Sequence, residues 1–293
     1  MGDPQTMTAP APGTPDAYRD PGRQALERRV ARRNALVGMA SLVVFVVAVS
    51  VLVSRTPGWP VVQETFFSAE QFTESLPGLL EAFLLNIKIF LIAEPVILVF
   101  SLLIALTRTL RAPIFLPLRV VATIYVDVFR GVPTILVIFL LGFGVPALRL
   151  QGVPNDPVFW GTVALILSYS AYVAEVFRAG IGSVHPSQRM AARSLGLSSW
   201  QTNRYVVLPQ AVRNVVPPLL NDFISLQKDT ALVSVLGPIE ILRQAQIDAS
   251  STFNYTPYVA AAAIFIALTI PMTRFADWVQ GRMARRQRAG GVA

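Results

Sequence analysis

Residues 178–216 read RAGIGSVHPSQRMAARSLGLSSWQTNRYVVLPQAVRNVV. This stretch carries five arginines and no acidic residue, and it separates two apolar runs, 158–177 and 217–239. Its pattern predicts two short helices. Ser187 is placed to cap the first, which holds Met190, Ala191, Arg193, Ser194 and Leu195, and Gly196 is placed to end it in a left-handed C-cap. A second helix is expected to begin near Ser198 or Ser199 and to stop at Leu208-Pro209. Helix, glycine break and helix make a compact knob, and the small Ala191 and Ala192 let another surface approach closely. On the residues alone, the knob stands beside a second reading, an amphipathic loop resting on lipid headgroups.

The rest of the chain explains why such a polar stretch stands out. Of 293 residues, 53% are hydrophobic and 14% charged, against about 25% charged in soluble domains. The net charge of +8 does not describe a nucleic-acid binder, because too little polar surface is available to carry a basic patch. There is no cysteine and only one histidine, His185, which excludes disulfides, thiolate sites, HExxH sites and multi-histidine metal clusters. Neither lysine, Lys88 or Lys228, follows a glycine, so the chain has no GxxxxGK[ST] loop. If ATP drives this protein, a partner must hydrolyse it.

Working outward gives an all-α polytopic membrane protein with six spans. Residues 1–34 read as a disordered basic tail, with Pro4, Pro10, Pro12, Pro15 and Pro21 and the run Arg28-Arg29-Val30-Ala31-Arg32-Arg33. Residues 35–54 are uncharged, about 30 Å of helix; they are long for a signal peptide and read as a retained anchor. Further spans are expected within 78–107 and at 132–148, 158–177, 217–239 and 257–273, with 112–131 as an interfacial stretch. Six spans place both termini on one side. Twenty of the 25 Lys and Arg fall on that side and three, Arg55, Arg149 and Arg243, on the other, so the positive-inside rule makes the termini cytoplasmic. The remaining two are the intramembrane lysines.

Residues within 178–216 resemble a known family, the permease subunits of ATP-binding-cassette importers in the polar amino acid branch. That family's signature is E-A-A, three residues, G, nine residues, then I-x-L-P. Here Met190-Ala191-Ala192 is followed at the same spacing by Gly196 and by Val206-Val207-Leu208-Pro209. Met190 and Val206 depart from it, and the methionine removes an anion able to orient an arginine at the ATPase interface. Tyr125-Val126-Asp127-Val128-Phe129-Arg130-Gly131-Val132-Pro133, Ala171-Tyr172 with Glu175, Phe177 and Arg178, and Lys228-Asp229-Thr230-Ala231-Leu232 resemble further stretches of the family. The resemblance covers roughly 76–285. It implies a five-span type I importer core, with 35–54 as an added anchor and 286–293 as a tail, in a bacterial cytoplasmic membrane. It also implies partners: two cytoplasmic ATPases that use the ATP, a second permease subunit, identical or homologous, and an extracytoplasmic solute-binding protein. The chain itself is expected to bind no cofactor and no metal and to be no enzyme. ATPase coupling falls to Met190, Ala191, Ala192, Gly196, Val206, Leu208 and Pro209.

Ionisable groups at membrane depth are functional candidates. Glu94, before Pro95, reads as a substrate-path or kink carboxylate, or as a structural residue that is protonated or compensated by Lys88. Asn221, Ser225 and Lys228 share one face by i, i+4, i+7 spacing. They line a translocation path or, with Asp222 and Asp229, hold the bundle through an ion-pair network around Lys228. Glu175 with Arg178 or Arg130 closes the inner mouth or simply anchors it. His185 reads as a solvated loop histidine. The rival functions are an ion-gradient-driven carrier, which lacks an inverted repeat, and an intramembrane enzyme, which lacks catalytic pairs in the spans.

Overall fold

The computed structural model describes residues 21–110 and 112–290, and the described residues are helical without strands. The first twenty residues of the expected tail and residues 291–293 lie outside them. Two compact units divide the chain, one up to Val62 and one from Gln63. In the first, α1 (Pro21–Ser54) is one continuous helix. It takes in residues 21–34, where Ala, Leu, Glu and Arg are good helix formers, as well as the uncharged run, whose side chains are exposed throughout. A short α2 (Trp59–Phe66) follows.

In the second unit, α3 (Ala69–Thr109) begins at Ser68, whose Oγ accepts from Gln71 N at 3.3 Å. Its 41 residues extend about 60 Å, twice a bilayer's hydrocarbon thickness. Both halves of α3 pack with later helices: Leu79 meets α11 and α12, and Phe90, Ala93, Ile97 and Ile104 meet α7 and α4. Then come α4 (Leu116–Gly131), α5 (Thr134–Gly142), α6 (Gly144–Ala147) and α7 (Pro157–Gly182). After the polar segment built from α8 (Pro186–Ser194) and α9 (Ser199–Thr202), the chain runs through α10 (Leu208–Asp229), a 3-10 turn (Thr230–Leu236), α11 (Ile241–Thr252) and α12 (Thr256–Gly290).

Span boundaries differ from those expected in two places. The stretch read as interfacial is helix α4, and the stretch 132–148 read as one span is divided into α5 and α6. The helix ending at Gly131 and the stretch Thr134–Ala147 are bent by 103° to one another. Pro133 is the cause: a residue before proline is pushed out of the helical region, and Val132 is extended at φ −100°, ψ 129°. The run 217–239 is helical only to Asp229, tightens into the 3-10 turn, and ends at Gly237 with φ 103°. Among the described residues, four helical stretches are long and apolar enough to cross a membrane, or five if the bent pair counts as one.

The core is organised on α7, which packs against α3, α4, α5 and α10. Ile89, Phe90, Ala93 and Ile97 of α3 meet Ala164, Leu165, Tyr169 and Val173 of α7, with Leu226 of α10 and Val233 of the 3-10 turn. A second cluster joins Leu79 of α3 to Ile241 and Ala245 of α11 and to Ala260 and Ala261 of α12. Lipid tails give apolar side chains no reason to leave them, so helices associate in a bilayer mainly where small residues allow close approach. A Cβ on Gly161 would lie 2.6 Å from Val233 Cγ1, and one on Gly180 would overlap Val215. Gly161→Leu is therefore expected to destabilise the fold by about 1–3 kcal/mol through overpacking, seen as a lower Tm in detergent. Gly38→Leu, in open space on α1, should leave Tm unchanged.

Candidate functional site

The polar segment folds into the expected knob, with two changes. His185, not Ser187, caps α8: its Nδ1 accepts from Ser187 N at 3.2 Å. The sequence reading missed this because histidine is an uncommon cap. Gly196 stands at φ 83°. Its N–H donates to Arg193 O at 3.0 Å and Leu197 N–H donates to Ala192 O at 3.2 Å, a Schellman termination. Ser198 and Gln201 then form a reciprocal capping box that starts α9. The second helix does not stop at Leu208-Pro209. Asn203–Val207 form a π turn that leads directly into α10, with Leu208 N–H donating to Asn203 O. Pro209 sits in the first turn of α10, where its missing N–H is tolerated.

The knob is fastened to both neighbouring helices. Val184, Val207 and Ala211 bury together against Ile181. Arg189 donates to Ile181 O at 3.4 Å, and Asn214 Nδ2 donates to Ser183 Oγ at 2.7 Å. Arg193 bridges Leu197 O and Ser199 Oγ at 3.3 and 3.2 Å, closing the turn across Gly196. Ala192 is buried inside, whereas Met190, Leu195, Trp200 and Tyr205 are 63%, 83%, 74% and 70% exposed. The knob thus presents large apolar and aromatic side chains, the composition of an interface centre, on a backbone held by caps. Of the coupling candidates, Met190, Ala191, Leu208 and Pro209 are exposed, Ala192 is buried and Val206 is partly buried.

At the same end of α7, Glu175 accepts from Arg178 and from Arg108 Nη1, the latter at 2.9 Å. Arg130 takes no part: its guanidinium lies 5.9 Å from the Tyr172 ring centroid, and Tyr172 Oη donates to Arg130 O. The sequence reading took Arg108 only as closing the second span and missed its pairing with Glu175, since 67 residues separate the two. The expected Lys228 network does not form. Lys228 makes no ion pair among the described residues, and Asp229 instead accepts from Tyr169 Oη at 2.7 Å. Helical phase explains it: Asp222 and Asp229, seven apart, face one way and Lys228 turns to the exposed side with Asn221. Glu94 likewise has no ion pair with Lys88, which is exposed.

The opposite end of the bundle holds a buried polar cluster that the sequence did not announce. Glu240 is fully buried. It accepts from Asn86 Nδ2 at 2.8 Å and caps α11 by accepting from Arg243 N at 2.8 Å; Asn86 Oδ1 accepts from Ile241 N at 3.2 Å. Burial holds this carboxyl above the usual range, against the smaller opposing effect of the hydrogen bonds from Asn86 and the α11 backbone. The cluster ties the middle of α3 to the start of α11. A double-mutant cycle on Arg108 and Glu175, both about four-fifths buried, should give a coupling of about 1–3 kcal/mol in detergent stability. The same cycle on Arg130 and Glu175 should give none.

Comparison with known proteins places the chain in a family. Residues 97–285 match the model of the family described as binding-protein-dependent transport system inner membrane component. A probable glutamine ABC transporter permease protein, GlnM of Bacillus subtilis (strain 168), is 36% identical over 60% of this chain and 81% of its own length. The arginine transport system permease protein ArtQ of the same organism is 31% identical over 71% of this chain and 93% of its own. A crystal structure of an amino acid ABC transporter with histidines superposes with a TM-score of 0.66 at 34% identity, covering 72% of this chain and 96% of that one. An inward-facing methionine transporter at 17% identity and TM-score 0.55 shares the fold. The chain therefore belongs to the family of inner membrane components of binding-protein-dependent transport systems, as a multi-pass ABC permease.

Proposed function

We propose that this chain is the permease subunit of an ATP-driven importer of polar amino acids. The observation that carries the proposal is the 183–208 knob: a capped, two-helix body with exposed Met190, Leu195, Trp200 and Tyr205, fastened to α7 and α10. In this reading the knob lies in the cytoplasm and seats in one subunit of an ATPase dimer. A second permease, identical or homologous, completes the path, and a solute-binding protein delivers the amino acid from outside. The family's relatives with glutamine and arginine in their names support an amino acid substrate.

The mechanism follows from the connections. ATP-driven closure of the ATPases displaces the two knobs, and each drags the ends of α7 and α10, because Val184, Val207 and Ala211 are packed together with Ile181 of α7. The Arg108–Glu175–Arg178 cluster at that end is made between α3 and α7, so it serves as an inner gate whose pairs break as the bundle rocks. Glu94 and the stripe Asn221, Ser225 and Lys228 line the path between the two permeases. Lys228 stays free for that role because Asp229 is engaged by Tyr169.

Gly196 supplies the sharpest test. No atom would meet a Cβ there, so a substitution acts through φ alone. Gly196→Val, with the wrong backbone preference, should abolish ATPase co-purification and uptake while membrane insertion persists. Gly196→Asn, which tolerates the left-handed region, should retain most of both. Wild-type uptake by Gly196→Val, or uptake into vesicles that lack the ATPase and follow a proton gradient, contradicts the proposal.

A further inference from the structure

At the end of the bundle away from the knob lies a cavity of about 530 Å³. It sits between the 3-10 turn, the start of α11 and the start of α12, and its walls include Ser234, Gly237, Leu242, Arg243, Gln246 and Tyr258. Gly161 packs on Val233, and 21 residues of α7 separate Gly161 from Gly182 beside the knob. That is about 30 Å of helix, a bilayer's hydrocarbon thickness. The cavity is therefore on the face where delivered substrate arrives.

Among the described residues, its only charged wall residue is Arg243. Arg243 is partly buried as a residue, its Nη1 donates at the exposed mouth of the cavity to the neutral Gln246 Oε1 at 2.7 Å, and no carboxylate pairs with it among the described residues. Its backbone is fixed from below by the buried cluster: Glu240 Oε1 accepts from Arg243 N, and Asn86 holds Glu240. Ser234 and Tyr258 add hydroxyls, and Tyr258 is itself stacked on Tyr255, which stacks on Phe66. Among the described residues, the walls thus offer a pre-positioned cation, hydroxyl donors and apolar surface, and no acid. A volume of this size lies in the range of small-molecule sites, and a guanidinium with unused donors is built to take a carboxylate in a two-pronged bond.

Resting on the importer reading above, we infer that this cavity is an entry site that receives the α-carboxylate of the incoming amino acid at Arg243. The α-carboxylate is common to all amino acids, so the site accepts the substrate by its backbone and leaves side-chain selection to other groups. It takes the amino acid from the binding protein and holds it before the path opens between the permeases.

The test uses the purified permease–ATPase complex in detergent, without binding protein. Saturation-transfer NMR is recorded with L-glutamine, L-arginine and L-leucine and with their carboxamides. The proposal expects millimolar binding of at least one free acid and at least tenfold weaker binding of its carboxamide. Arg243→Gln should lose about tenfold for the acid and remove the difference between acid and amide, and Arg243→Lys should fall between. Both variants are checked for ATPase co-purification, which reports an intact fold. No binding by wild type, or equal binding by wild type and Arg243→Gln, overturns the entry site. If Arg243→Gln instead raises only the KM for loaded binding protein in proteoliposome uptake, the carboxylate belongs to that protein and the inference also fails. ATP-dependent uptake by the wild-type complex in the same preparations reports separately on the importer reading.

Discussion

Close approach along α7 is the constraint on which the rest of this protein depends. In a bilayer, burying apolar side chains gains little over leaving them in lipid, so packing contacts and polar pairs must hold the helices. α7 meets that demand with Gly161, Ala164, Ser168, Ala171, Ala174 and Gly180 along its buried surface. Gly161 admits Val233 and Gly180 admits Val215. The first contact sets the 3-10 turn that leads into α11, and the second sets α10 where it emerges from the knob. One helix thereby fixes both ends of the bundle, which lets a displacement at one end be felt at the other.

How much of this was legible in the sequence depends on how local each feature is. Gly196 and Ser198 could be placed because caps are read from neighbours within four residues, and the all-α, multi-span character follows from composition alone. The bend at Pro133 was local too, and the boundary between 112–131 and 132–148 was placed there, but the charges Arg119, Asp127 and Arg130 led the first part to be read as interfacial where the structure has the helix α4. The π turn at Asn203–Val207 has no sequence signal comparable to a cap, so Pro209 was read as a helix stop when it is the start of a continuation.

Features made by distant residues were beyond reach. Arg108 with Glu175, Asn86 with Glu240 and Tyr169 with Asp229 join positions 60 to 154 residues apart. The Lys228 network failed for a different reason. Proximity along the chain suggested a pair with Asp222 or Asp229, but the helix turns Lys228 away from both and gives Asp229 a tyrosine. Of the two intramembrane lysines that composition singled out, neither is neutralised within the described residues, which is the expectation for groups that face a path or a partner.

The knob's fastening joins these levels. Capped at His185, Gly196 and Ser198 and buried at Val184, Val207 and Ala211, it joins α7 through a three-residue link, 183–185, that the Asn214–Ser183 and Arg189–Ile181 hydrogen bonds fasten. On the coupling proposed above, it moves with α7 as one body. The chain has no native cysteine, so spin labels at Ala179→Cys on α7 and Ser194→Cys on the knob can be introduced cleanly. Pulsed electron–electron distance measurements on the permease–ATPase complex, nucleotide-free and ATP-trapped, should give the same narrow distribution in both states. A shifted or broadened distribution on ATP binding would show the knob flexing against α7 and would contradict rigid transmission.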